Sequence, residues 1–288
     1  MNTLSLFDGI SCGQVALERA GIKVKQYFSS EIDKYAIKVT QKNYPNTIQL
    51  GDVKDIDLEI LPKIDLLIAG TPCQDLSSFK QNAKGLKGNK SILFFEFLRV
   101  LRIIKPKYFL LENVKSMKKK DRDIISKELG VEPIEINSAE FSAQNRTRLY
   151  WTNIPQFRWI VNNVKFKEIL EDLPFREIPK CFFKKWGDKL RIDKGLNWTE
   201  NEKANCLTTK NCHTNQYLLN KEKNKIRLLT ANEYEKIQTL PLGYTDGIPD
   251  SERFKCIGNG WTIEVIVHIF KSLKHTLVQS KTGDKNVI

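Results

Sequence analysis

No stretch of this 288-residue chain approaches about 18 consecutive apolar residues, so no membrane-spanning helix is predicted. The opening MNTLSLFDGISCG lacks the basic segment and long apolar core of a secretory signal. The six cysteines are scattered and form no CxxC pair, which argues against a disulfide framework and for a reducing, cytoplasmic setting. Repeats and low-complexity segments are also missing. Negative charge is the scarcer sign: 34 Asp plus Glu stand against 47 Lys plus Arg, leaving +13. That excess favours a polyanionic partner, most simply nucleic acid, although it also keeps any protein soluble, so charge alone does not choose between the two. The 41% of hydrophobic residues suffices for a real core, in one large domain or in a large and a small one.

The first half alternates short apolar runs with amphipathic stretches. Strands are predicted at Thr3–Phe7, Val24–Ser29, Ile48–Leu50, Ile64–Ala69, Tyr108–Leu111 and Ile134–Asn137, with helices at Gly13–Ala20, Lys34–Asn43, Ile92–Ile104 and Asp121–Leu129. This alternation predicts an α/β, doubly wound, mostly parallel sheet, whose ligands sit at the carboxyl ends of the strands. Asp8, Glu31, Asp52, Cys73 and Glu112 all fall there. From about 156 to 225 the chain is irregular and rich in Asn, Lys and Trp, as expected of a small second domain or insertion. Helical patterns return at Thr230–Thr239 and from Thr262 to about Leu277, the latter apolar enough to pack on the first domain.

In LSLFDGISCG a strand enters a glycine-bearing turn and then a helix, so Gly9 and Gly13 would admit a ligand to the backbone. A turn that merely packs explains the motif equally well. Glu31 can accept from both hydroxyls of a ribose, and Asp52 from an adenine amino group; each alone is as readily a helix cap or a solvated acid. Three successive strands ending in glycine or an acid favour a nucleoside-like ligand. In IDLLIAGTPCQDLSS, Cys73 stands at a strand edge directly after Pro72, where a lowered pKa would make it a nucleophile; buried, inert cysteines are commoner. The polar loop behind it, with Lys80, Lys84, Lys87, Lys90, Gly85 and Gly88, has the make-up of a lid over phosphates, or of an ordinary solvated loop. Glu112, in LLENV, ends a strand where partial desolvation favours a retained proton, and Asn113 would steady the backbone. Gln144, Arg146 and Arg148 alternate in QNRTR, so an extended segment would place them on one face.

The order of these motifs resembles the C5-cytosine DNA methyltransferases. The matches are FDGISCG, SEID, GDV, TPCQ, ILFFEFLRVL, LENV, QNRTR, RLLTANEYEKIQTLP and IGNGWTIEVIVHIF, over roughly 3–155 and 226–272. They look bacterial or phage-encoded in the compactness of the chain, with some likeness to de novo-type animal enzymes. The resemblance implies the S-adenosylmethionine-dependent methyltransferase fold, with a catalytic and cofactor domain at 1–155, a target-recognition domain at 156–225 and a return segment at 226–280. It implies a catalytic set of Cys73, Glu112, Arg148 and Arg146: the thiolate attacks C6 of a flipped-out cytosine, Glu112 contacts N3 and the exocyclic amine, and arginine holds O2. It assigns S-adenosylmethionine to Phe7, Asp8, Gly9, Gly13, Glu31, Ile32, Asp52, Val53, Pro72, Leu93, Asn259 and Trp261. It assigns DNA contact to Gln74, Ser77, Lys84, Lys87, Leu207, Thr208, Thr209 and Lys210, the last four in ANCLTTKNCHTNQY, where Lys210, Asn211, His213 and Asn215 would read base edges or phosphates. Cys12 within the first motif, Asn89-Lys90 at the lid's end, Cys206 and the Gly-Trp after Asn259 depart from the family's usual residues.

The implied function is methylation of C5 of cytosine in a short duplex site by a cytoplasmic monomer, either restriction-associated, with a cognate endonuclease as partner, or orphan. A tRNA cytosine-5 methyltransferase shares these motifs, but its usual Cys-Phe-Thr signature is not evident. A catalytically silent DNA-binding relative should have lost Cys73, Glu112 or Arg148, and all three are present. Amino-methyltransferases are disfavoured because no Asp/Asn-Pro-Pro-Tyr/Phe motif occurs. Cys206, Cys212 and His213 have poor spacing for zinc and lack a fourth ligand, so no metal is expected.

Overall fold

In the computed structural model, residues 1–72, 92–155, 164–177, 185–186, 189–190, 197–198, 203–207, 217–220 and 225–283 are described. Two compact units emerge: Met1–Ile136, Thr147–Trp159 and Val265–Ile288 form the first, Asn137–Arg146 and Ile160–Glu264 the second.

In the first unit the chain runs β1 (Asn2–Leu6), α1 (Cys12–Arg19), β2 (Gln26–Ser30), α2 (Lys34–Asn43), β3 (Ile48–Gln49), β4 (Leu66–Gly70), α3 (Ile92–Ile104), β5 (Tyr108–Val114) and α4 (Lys119–Leu129). Then follow β6 (Ile134–Asn137) and β7 (Thr147–Thr152). One seven-stranded sheet results, in the order β3-β2-β1-β4-β5-β7-β6. Strands β1 to β5 pair in parallel, and β7 runs antiparallel to β5. The sheet is thus α/β and mostly parallel, as the alternation predicts.

The central strands read as unbroken apolar runs because both faces are covered. Leu66 through Ala69 on β4 and Leu110 and Leu111 on β5 are all 0% exposed. Leu4 and Leu6 of β1 pack with Phe94, Phe97 and Val100 of α3 and with Trp151 of β7 in one cluster. Local chemistry sets the element ends. Asp33 caps α2 by accepting from the Tyr35 and Ala36 amides, and Gly130, at φ 69°, closes α4 in the left-handed region.

In the second unit β8 (Arg176–Glu177), β9 (Lys185–Trp186), β10 (Lys189–Leu190), β11 (Asn197–Trp198), β12 (Tyr217–Asn220) and β13 (Lys225–Leu228) precede α5 (Ala231–Ile237) and α6 (Asp250–Asn259). The strands form a four-stranded sheet, β11-β12-β13-β8, and a β9-β10 hairpin. Thr230 and Glu233 cap α5 reciprocally. The Glu233 carboxylate also takes both terminal nitrogens of Arg227, at 2.7 and 2.8 Å, with the two side chains 0% and 6% exposed. A last helix, α7 (Ile263–Gly283), leaves the second unit and supplies the first with Val265 onward. It extends past the Leu277 end predicted from the sequence.

Candidate active site

The turn after β1, Phe7–Ser11, holds three residues in the left-handed region: Phe7 (φ 55°), Gly9 (φ 59°) and Ser11 (φ 56°). A Cβ on Gly9 would meet nothing within 4 Å, so its backbone lies open to a ligand. Gly13 is different. A Cβ there would stand 2.3 Å from Ile68 Cδ1 and 2.9 Å from Tyr27 Oη, so glycine lets α1 lie against the sheet.

The buried carboxylate of Asp8 points into the protein. Tyr27 Oη donates to Oδ1 at 2.8 Å, Ser29 Oγ donates to Oδ2 at 3.0 Å, and Ser11 Oγ also donates to Oδ2. Ser11 Oγ in turn lies 3.0 Å from Thr40 Oγ1. Burial raises the Asp8 pKa above the usual carboxylate range, against the opposing pull of the Ser11, Ser5, Tyr27 and Ser29 hydroxyls.

Glu31, just past β2, accepts the Gly9 amide on Oε2 at 2.7 Å and the Ile32 and Asp33 amides on Oε1 at 2.8 Å each. The three backbone amides therefore fix the carboxylate in direction. Beside it Ile32 is 72% exposed, an unusual state for isoleucine. Asp52 caps a 3₁₀ turn by accepting the Lys54 amide at 3.0 Å. Val53 is buried, and its carbonyl accepts from Arg99. Leu93, at the start of α3, is partly buried against the core.

At the carboxyl ends of β4 and β5, Gly70 stands in register with Glu112. Asn113 donates to Thr71 Oγ1 at 2.8 Å and accepts the Val114 amide, so β5 grips the segment that leads into Pro72. Arg148 sits opposite Val114 on β7, one diagonal step from Glu112, and its Nε meets Glu112 Oε1 at 3.0 Å. Both side chains are largely buried, at 15% and 10% exposure. One guanidinium nitrogen also donates to the Thr147 carbonyl at 2.9 Å.

The second unit holds the other predicted residues. Arg146 donates to the carbonyls of Gly258 and Gly260, at 3.3 and 3.0 Å, and lies 3.5 Å from Cys206 Sγ. QNRTR therefore divides: Arg148 reaches Glu112, whereas Arg146 braces the turn after α6. Leu207 is buried, and its amide donates to Gln144 Oε1. Gln144 Nε2 donates to Gln238 Oε1 at 2.8 Å, and Thr262 Oγ1 donates to the same oxygen at 2.7 Å. Asn259 is exposed at the end of α6, and Trp261 is buried. Neither the Gln144–Gln238–Thr262 knot nor the hydroxyl cradle of Asp8 is predicted above; their members lie far apart in sequence and carry no spacing signal. Cys73, Gln74, Ser77, Lys80, Lys84, Gly85, Lys87, Gly88, Lys90, Thr208, Thr209, Lys210, Asn211, Cys212, His213 and Asn215 lie outside the described residues.

The mostly parallel seven-stranded sheet, with β7 antiparallel to β5, carries its polar groups at the carboxyl edge. Among solved structures, the Entamoeba histolytica methyltransferase EhMeth superposes with a TM-score of 0.78 at 18% identity, over 96% of this chain and 98% of that one. The sequence model of the C-5 cytosine-specific DNA methylase family matches residues 1–174 and 176–275, and the chain belongs to that family. It is 29% identical to the Type II methyltransferase M1.ScrFI of Lactococcus lactis subsp. cremoris, across 96% of this chain and 79% of that protein. It is 27% identical to the Type II methyltransferase M.NlaX of Neisseria lactamica, across 99% of both. No helix among the described residues is long and apolar enough to cross a membrane.

Proposed function

We propose that this protein transfers a methyl group from S-adenosylmethionine to C5 of cytosine in a short duplex DNA site. The observation that carries the reading is the Glu112–Arg148 pair, held at the sheet edge from which the chain leads through Thr71 and Pro72 to Cys73. The open Gly9 backbone, the pre-oriented Glu31 carboxylate and the exposed Ile32 fit a nucleoside cofactor. Glu31 would take the ribose hydroxyls, Ile32 would cover the adenine, and Asp52 would accept its amino group. When bound, S-adenosylmethionine supplies an electrophilic methyl group.

The chain's own part is to make C5 nucleophilic. The Cys73 thiolate adds to C6 of a flipped-out cytosine, and the electron pair moves toward the N3 and O2 edge. There Glu112 delivers a proton to N3, while Arg148, already fixed on Glu112, stabilises negative charge on O2. After transfer N3 returns its proton to Glu112, a water molecule takes the C5 proton, and Cys73 leaves as the thiolate, which restores the neutral aromatic ring. Arg148 thus both orients the acid and meets the base. The domain division 1–155, 156–225 and 226–280, action as a monomer in the cytoplasm, and pairing with a restriction endonuclease belong to the same proposal.

Bisulfite sequencing of plasmid DNA from cells expressing the chain, beside a Cys73→Ala control, tests it. Methylation confined to one short motif and absent from the control is expected. Unmethylated DNA together with methylated tRNA would replace duplex DNA as the substrate.

A further inference from the structure

We infer that the lysines at the start of α4 form a phosphate-contacting surface for duplex DNA on the catalytic unit, separate from the recognition region. The inference rests on the duplex-DNA reading above and says where on the first unit the backbone is held. Between 115 and 123 the chain reads KSMKKKDRD, five cations against two carboxylates. Lys115, Lys118, Lys119 and Lys120 are all exposed, while Met117 and Asp121 are buried and pin the segment down. Lys115 pairs with Glu135 and Lys119 with Asp123, both on the surface. For Lys118 and Lys120 there is no ion pair among the described residues.

Their position works against the fold. Lys118 is the cap residue of α4, and Lys119 and Lys120 open its first turn. Cations at a helix N-terminus oppose the macrodipole, where acids would stabilise the helix. Lys119 is offset by Asp123, but Lys118 and Lys120 have no ion pair among the described residues; a polyanion would relieve both the mutual repulsion of the lysines and their conflict with the dipole.

Location decides which polyanion. The cluster follows Glu112 by three to eight residues, on the carboxyl edge of the same sheet. A six-residue reach spans at most roughly 20 Å, and at 3.4 Å per base pair that covers about six base pairs around the target. The segment leaves β5 directly after Val114, the register partner of Arg148. These lysines are therefore anchored to the strand that carries the catalytic acid, and they fit phosphates flanking the target cytosine without reading its sequence.

The test is the salt dependence of duplex binding by three full-length proteins: the wild type, Lys118→Ala/Lys119→Ala/Lys120→Ala, and Lys63→Ala/Lys105→Ala/Lys107→Ala. The second triple removes the same charge from the opposite, amino-terminal edge of the sheet, where all three lysines are exposed. Each lost phosphate contact should make the plot of log affinity against log salt shallower by about 0.9. A slope shallower by about 2 or more in the α4 triple alone is expected, with an unchanged or raised melting temperature. Equal slopes in all three proteins, or equal loss in both triples, would overturn the inference and leave the methyltransferase reading intact. Wild-type protein without salt-sensitive duplex binding would overturn both.

Discussion

Arg148 Nε lies 3.0 Å from Glu112 Oε1, across two antiparallel strands and almost out of reach of water. In that setting the pair acts as a unit, and its halves should fail differently. Glu112→Gln keeps the shape but removes the acid, so kcat should fall by roughly 10²–10⁴-fold, the usual range for losing a general acid. Cofactor affinity, which is assigned to residues after β1 and β2, should not change. Arg148→Ala should also lower thermal stability, because it strands a carboxylate whose partner is gone, at a cost of up to about 3 kcal/mol. Steady-state kinetics with cofactor titration and thermal melts separate the two variants. Equal melting behaviour of both would refute the pairing argument.

Glu31 is held by three backbone amides. Glu31→Gln retains one acceptor oxygen but breaks the matched set, and S-adenosylmethionine affinity should drop about tenfold or more, near 1.4 kcal/mol. Duplex DNA affinity should stay the same. Calorimetry of each ligand separately reads this directly, and an unchanged cofactor affinity would remove Glu31 from the site.

For Asp8, burial raises the folded-state pKa above the ordinary 3.8. The sign follows from linkage: an acid whose folded pKa is raised favours folding below its unfolded value, and that advantage disappears as pH rises through the folded value. Asp8→Asn should abolish this component. The wild-type-minus-variant difference in unfolding free energy should therefore decline with rising pH above about 4. A difference independent of pH would show that the hydroxyl cradle fully compensates the burial.

Among the described residues of the second unit, Arg227 and Glu233 form the most buried ion pair. Removing either partner alone should destabilise the protein by about 3–5 kcal/mol, whereas replacing both with apolar residues of similar volume should be far milder. A denaturant-based double-mutant cycle checks it, and additive losses would show that the two do not depend on each other.

Much of the first unit was legible because both faces of its sheet are covered. LLIAG and FLL in β4 and β5 read as buried strands from composition alone, and each strand's polar terminus fell at the ligand edge. QNRTR was less legible. A period of two is assured only within one strand, and β7 begins at Thr147; Arg146 and Arg148 take different partners, the Gly258 and Gly260 carbonyls for one and Glu112 for the other. The charged decapeptide of α6 carried too weak an apolar stripe to announce a helix. The inward turn of Asp8 depends on Ser5, Tyr27, Ser29 and Thr40 arriving from β1, β2 and α2, which no local pattern encodes.

The closing of the first unit by the segment from Val265 bears on when the protein becomes itself during synthesis. On α7, Ile266, Ile269, Phe270 and Leu273 are fully buried, and the Lys274 ammonium reaches to within 2.7 Å of where a Cβ on Gly21 would stand. A chain growing from the ribosome makes the sheet early and this helix late. Until it emerges, the first unit lacks these buried apolar side chains and stays prone to chaperone capture and to proteolysis. The approach of Lys274 to Gly21 joins positions far apart in the sequence, a kind of contact that is slow to form. The first unit should therefore complete its folding only when translation has passed α7.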